Sequence, residues 1–195
     1  MYEKLPNLII GFHGCDKKIY KKVLHKNVPL KPSKNEYDWL GNGMYFWEHN
    51  LERAFRWAEN TKKIEGPAVI GAVIDLGNCL NLLDSHNIIL LKNQFTILKK
   101  SLELEGKQLP ENRGSNQDYL LRNLDCAVIE SLHSERVQSK ESAFDSVRGV
   151  FLEGKSIYEK SGFREKSHIQ ICVRNPNCIK GFFSPCARDD SWCLL

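Results

Sequence analysis

The sequence predicts an α+β domain built around a partly split β-sheet with flanking helices. Three observations carry that prediction. Short strand-like runs dominate the chain, and helical patterns fall between the early ones. The segment AVIGAVIDLG, residues 68–77, is nearly continuous in apolar residues and rich in Val and Ile, as a central strand is. At 195 residues the chain is long enough for one well-cored domain and short for two, since domains typically run to about 100–150 residues. One domain over 1–195 is therefore expected.

In chain order, Leu8–Phe12 reads as a short buried strand running into His13-Gly14. Residues 17–36, rich in Lys, Pro and Asn, read as a short helix and a loop. In 37–50, Gly41 and Gly43 frame a turn that leads into aromatics. Asn50 is placed to cap a helix over 51–63, whose Leu51, Ala54, Phe55 and Ala58 fall on one face. After the strand 68–77, residues 78–106 read as an amphipathic helix and 107–116 as a polar loop. A helix DYLLRNL is expected next, then strands over 126–131, 146–154, 168–175 and 178–184. The tail from 186 onward receives no assignment.

Composition excludes several classes. Hydrophobic residues make up 42%, charged 27% and aromatic 10%, which rules out a disordered, collagen-like or coiled-coil chain. No apolar run approaches the roughly 20 residues needed to span a bilayer. The start, MYEKLPNLIIGFHGC, lacks the basic flank and long apolar stretch of a signal peptide. A soluble, cytoplasmic protein without membrane partners is expected. The net charge of +4 permits a polyanionic partner without requiring one. Seven cysteines are expected as reduced thiols. Cys172, Cys178, Cys186 and Cys193 crowd the C-terminal part, but no pair has C-x-x-C spacing, so no metal is expected.

Two glycine-containing segments carry the chemistry. In GFHGCD (11–16), His13 stands where a strand ends and offers an imidazole to a hydroxyl, while Gly14 would let a ligand reach the backbone. In LGNGMYFWE (40–48), two glycines allow tight folding against something flat, and Tyr45, Phe46 and Trp47 supply ring faces for a planar, cationic heteroaromatic ring. Alternation sends Tyr45 and Trp47 one way and Phe46 the other, into the core. No G-x-G-x-x-G fingerprint or P-loop is present. Cys15 lies near His13 in sequence, but that alone is no catalytic dyad.

A strand ending in H-G, followed by G-x-G-x-Y-F leading into a helix, resembles the ADP-ribosyltransferase fold of the diphtheria-toxin and poly(ADP-ribose) polymerase branch. The matching residues are His13, Gly14, Gly41, Gly43, Tyr45 and Phe46, and the order of the later strands extends the likeness over roughly residues 8–184. The resemblance implies an ADP-ribosyltransferase-like split sheet and NAD⁺ as co-substrate. By it His13 binds ribose hydroxyls, Gly14 holds the nicotinamide amide through its backbone, and Tyr45 stacks on nicotinamide, with Trp57 as its partner. Arg53 falls near the place of a serine that the polymerases use. In HIQICVRNP (168–176), Gln170 stands where the family carries its catalytic Glu, keeping a hydrogen bond and losing the negative charge. Glu153 is the nearest carboxylate to replace it, and the loop 154–167 corresponds to the acceptor loop. Arg148 and His168 are further candidates for the cleft.

The resemblance therefore implies a mono-ADP-ribosyltransferase, similar to bacterial toxin-type enzymes of toxin–antitoxin and anti-phage systems, with an antitoxin as partner. Lys17, Lys18, Lys21, Lys22, Lys26, Lys31 and Lys34 tilt the expected acceptor towards nucleic acid over protein. The alternatives are an NAD⁺ glycohydrolase, with water as acceptor, and a non-enzymatic module that binds NAD⁺ or ADP-ribose.

Overall fold

The computed structural model describes residues 8–114 and 119–185. Its class is α+β: a seven-stranded mixed sheet, four helices and a small two-stranded sheet. In chain order the elements are β1 (Leu8–Asp16), α1 (Lys17–Lys26), β2 (Met44–Glu48), α2 (Leu51–Asn60), β3 (Pro67–Asp75), β4 (Cys79–Asn81) and α3 (Ser85–Leu104). Then follow β5 (Asn112–Arg113), β6 (Leu121–Arg122), α4 (Asn123–Gln138), β7 (Ser146–Phe151), β8 (His168–Val173) and β9 (Ile179–Phe183). The large sheet runs β4-β7-β8-β2-β1-β3-β9, with β4 and β7 parallel and the other neighbours antiparallel.

The middle of this sheet is where it opens. Strand β1 pairs with β3 along its whole length, from Leu8↔Asp75 to Asp16↔Pro67. Against β2 it pairs only at Gly11↔Glu48 and Phe12↔Trp47. Beyond Phe12 the His13 imidazole, not the β1 backbone, meets β2, through Nδ1 and the Tyr45 carbonyl at 2.8 Å.

Strand alternation divides the sheet into two faces. Phe46, Ile70, Ile74 and Ile171 are fully buried on one, with Val23 of α1 packed among them. Leu40, Leu80, Val147 and Cys172 pack on the other with Ile129 and Leu132 of α4. Helix α2 covers the β1 end through Ala54, against Trp47 and Val69.

Several expected boundaries move. CAVIES (126–131) is not a strand; it lies inside α4. Its apolar run is too short for periodicity to separate strand from helix. The buried residues Cys126, Ile129, Leu132 and His133 follow helical spacing, so one face packs. The expected helix DYLLRNL is replaced by β6 and the start of α4, with Asp118 outside the described residues. Residues 79–81 leave the long helix to form β4 beside β7, and α3 starts at Ser85, where Asp84 Oδ1 accepts from the His86 N–H at 2.7 Å. Helix α2 does start behind Asn50, whose Oδ1 accepts from the Arg53 N–H at 3.0 Å, but it ends at Asn60. Cys186 and Cys193 lie outside the described residues.

Candidate functional site

The opening between β1 and β2 is the floor of a cavity of about 510 Å³. The end of β1, strands β2 and β8, helix α2, the chain from 31 to 43 and the segment after β7 enclose it. His13, Gly14, Gly43, Tyr45, Trp57, Glu153, His168 and Gln170 all line it. Gly41 lies just behind, bonded to Tyr45.

His13 is held by its bond to the Tyr45 carbonyl. A carbonyl only accepts, so Nδ1 carries the proton and Nε2 keeps its lone pair. Burial lowers its pKa, which keeps the ring neutral at pH 7. A neutral imidazole with an open Nε2 is suited to accept from a ligand hydroxyl.

Tyr45 turns its ring to the cavity, while its hydroxyl is committed to the protein. It donates to the Gly41 carbonyl at 2.8 Å and accepts from the Leu40 N–H at 2.9 Å. Burial pushes the phenol strongly up, so it stays protonated. Trp47 points the same way as Tyr45, and Phe46 points into the opposite core. Trp57 is 43% exposed at the mouth, its ring 5.6 Å from that of Trp47.

The glycines have structural causes that the sequence alone did not reveal. A Cβ on Gly14 would lie 2.2 Å from the Ala54 carbonyl oxygen, so Gly14 is what lets α2 dock on β1. Gly41 adopts φ +78°. A Cβ on Gly43 would meet Cys172 Sγ at 2.5 Å. Behind this loop Glu130 of α4 accepts from the Asn42 N–H at 2.8 Å, while Arg174 donates to the Asn42 carbonyl at 3.0 Å and to Glu130 itself. Both backbone polar groups of Asn42 are thereby clamped.

Gln170 lies across from Trp47 on β2 and from Gly149 on β7. Its Oε1 accepts from the Trp39 indole N–H at 2.6 Å. Glu153, two residues past the end of β7, accepts from Arg53 Nη2 at 2.7 Å, with both side chains mostly buried. Lys166 Nζ stands 3.8 Å from the same carboxylate.

Arg148 is a correction. It shares the row Phe46–Ile171–Arg148, on the face opposite to Tyr45. There it donates from Nη2 to Glu48 Oε1 at 2.7 Å and from Nη1 to Asn81 Oδ1 at 3.3 Å, away from the cleft. Alternation from Gln170 through its partner Gly149 would have excluded it.

His168 does line the cavity. Its Nδ1 meets the Lys166 carbonyl at 2.6 Å, and its ring stacks on Phe151 at 5.5 Å. Burial lowers its pKa. His168 Nε2, Trp47 Nε1 and Arg53 Nε are buried without hydrogen-bond partners among the described residues. Cys15 is buried in the core and its thiol is pushed up to about 11, the wrong direction for a nucleophile. No group of three His, Cys, Asp or Glu residues among those described is placed to hold a metal ion.

Sequence reasoning missed Trp39, Phe151, Glu130 and Arg174. Trp39 stands two residues ahead of the glycine loop already singled out, so its position was the available signal.

No protein-family model matches the chain. The chain is similar to Uncharacterized protein MJ0359 of Methanocaldococcus jannaschii, at 26% identity over 193 residues, covering 87% of this chain and 83% of that protein. No helix among the described residues is long and apolar enough to cross a membrane.

Proposed function

We propose that the cleft binds NAD⁺ and that the protein is a mono-ADP-ribosyltransferase, passing ADP-ribose to a macromolecular acceptor. One observation carries this reading: His13, Gly14, Tyr45, Trp57 and Gln170, drawn from β1, β2, α2 and β8, line a single cavity. Its ring walls and few inward polar groups suit the nicotinamide-ribose half of the dinucleotide. NAD⁺ supplies an ADP-ribosyl group whose bond to nicotinamide is broken.

The chain's own residues divide the work. Tyr45 and Trp57 offer ring faces to the nicotinamide, and His13 Nε2 accepts from a ribose hydroxyl. Among the described residues two carboxylates line the cavity, Glu153, which Arg53 holds in place, and Asp38, which accepts from the Asn35 N–H. The loop 154–167 joins two residues that line the cavity, Glu153 and His168, and exposes Ile157, Tyr158 and Phe163, a surface for the acceptor. Nucleic acid is the favoured acceptor. The lysines of α1 are exposed, Lys31 lines the cavity, and Tyr37 and Trp57 are exposed at its mouth for base stacking. A dedicated inhibitory protein as partner belongs to the same proposal.

A second reading, a module that binds NAD⁺ or ADP-ribose without turnover, is favoured by one feature. Gln170 carries no charge, and Arg53 neutralises Glu153. Labelled NAD⁺ incubated with the protein and with RNA, DNA or protein acceptors separates the possibilities. Label on a macromolecule is the expected result. Nicotinamide release with no label on any acceptor points to hydrolysis, and binding without nicotinamide release points to the module.

A further inference from the structure

We infer that Trp39 locks the Gln170 amide so that its NH₂ group faces the cavity, and that the ligand atom met there is an oxygen acting as hydrogen-bond acceptor. The indole N–H can only donate. At 2.6 Å from Gln170 it must therefore face the amide oxygen, which fixes the orientation of the whole group. The NH₂ group has no partner among the described residues, and Gln170 lines the cavity. A carboxylate at this position would accept a hydroxyl proton; the locked amide supplies a donor instead.

The lock is rigid because the indole is packed. Its ring meets Phe151 edge-on at 5.0 Å, and the Arg122 guanidinium lies 5.3 Å from its centre. A Cβ on Gly149 would come within 2.9 Å of the ring, so this glycine in β7 makes room for it. One further unpaired donor stands beside Gln170. Its neighbour across the strands, Trp47, is 4% exposed and holds an unpartnered indole N–H. The nearby Glu153 carboxylate is engaged by Arg53. Trp39 is thus a positioning residue that decides which kind of ligand atom Gln170 accepts. The lock stands on side-chain geometry; the ligand rests on the NAD⁺ reading above.

Two measurements on the full chain test the two parts separately. In the ligand-free protein the Trp39 indole N–H resonance should move upfield in Gln170→Leu and keep its position in Gln170→Glu, where an oxygen still accepts. An unmoved resonance in Gln170→Leu overturns the lock. In calorimetric titration with NAD⁺, Gln170→Leu and Gln170→Glu should each weaken binding by about tenfold, because both remove the donor. Trp39→Phe should weaken it about threefold, and by nothing further in the Gln170→Leu background, since residues acting through one contact do not add. Gln170→Glu binding as tightly as the parent overturns the donor role, and an additive Trp39→Phe effect overturns positioning. A parent protein that binds no NAD⁺ overturns the functional reading and the ligand assignment together, while the indole resonance still decides the lock.

Discussion

Gly14 and Tyr45 were read from the sequence as ligand-contacting residues, and both have a second task in the fold. The space beside Gly14 is taken by the α2 backbone, so Gly14→Ala drives a methyl group against the Ala54 carbonyl. A destabilisation of about 1–3 kcal/mol is expected, seen as a lowered urea midpoint. An unchanged midpoint would mean that α2 yields at no cost. For Tyr45 the second task belongs to the buried hydroxyl, which ties Leu40 and Gly41 to β2. Tyr45→Phe should cost about 1–3 kcal/mol of stability by leaving those backbone groups unpaired. The ring remains, so NAD⁺ affinity should fall less in Tyr45→Phe than in Tyr45→Ala, as calorimetry would record.

Helix α4 reaches the site without lining its cavity. Glu130 and Arg174 grip the N–H and the carbonyl of Asn42, and so couple α4 and the end of β8 to the glycine loop. Desolvation raises the Glu130 carboxyl, but the bonds from Arg174 and Asn42 outweigh it and hold its pKa below the ordinary value. Glu130→Ala leaves the Asn42 N–H unpaired and the Arg174 guanidinium without its carboxylate, keeping only its bond to the Asn42 carbonyl. Both side chains of the pair are partly exposed, which discounts the loss to about 1–2 kcal/mol. Hydrogen exchange should rise at Asn42 and Gly43. Faster exchange confined to α4 would show that the clamp does not reach the loop.

Across the molecule, three histidines are held neutral in the folded state. Burial, aided by the Arg174 charge, lowers His133 to about 4, and burial also lowers His13 and His168. The unfolded chain takes up these protons near pH 6.5, about the ordinary histidine value. The folded chain does not, so below that pH the unfolded state binds more protons and stability falls with falling pH. The loss runs from about pH 6.5 down to about pH 4 for His133, and the Glu130 contribution fades lower still. Urea midpoints measured between pH 7 and pH 4 should decline steadily. A flat profile over that range would contradict neutral burial of these rings.

The α+β class, a first strand beginning at Leu8, the cap at Asn50 and the inward turn of Phe46 were legible in the sequence. Each depends on interactions between residues close in the chain, or on the period-two and period-3.6 patterns that burial imposes. That first strand runs past its expected end at Phe12, through His13-Gly14 to Asp16, because β3 pairs with it throughout. The failures have a common cause. CAVIES became helix because its partners on α3 and the sheet lie far away in sequence, and Arg148 left the cleft because only strand register fixes a face. What the sequence determined by itself was local: the elements and the residue types able to hold a flat, polar ligand. Only the tertiary structure decided that the β1–β2 ladder stops after Phe12, opening the cavity, and that Trp39 reaches across 131 residues to turn the Gln170 amide. Register and long-range hydrogen bonds arise only when distant segments pack together, and no local pattern encodes them.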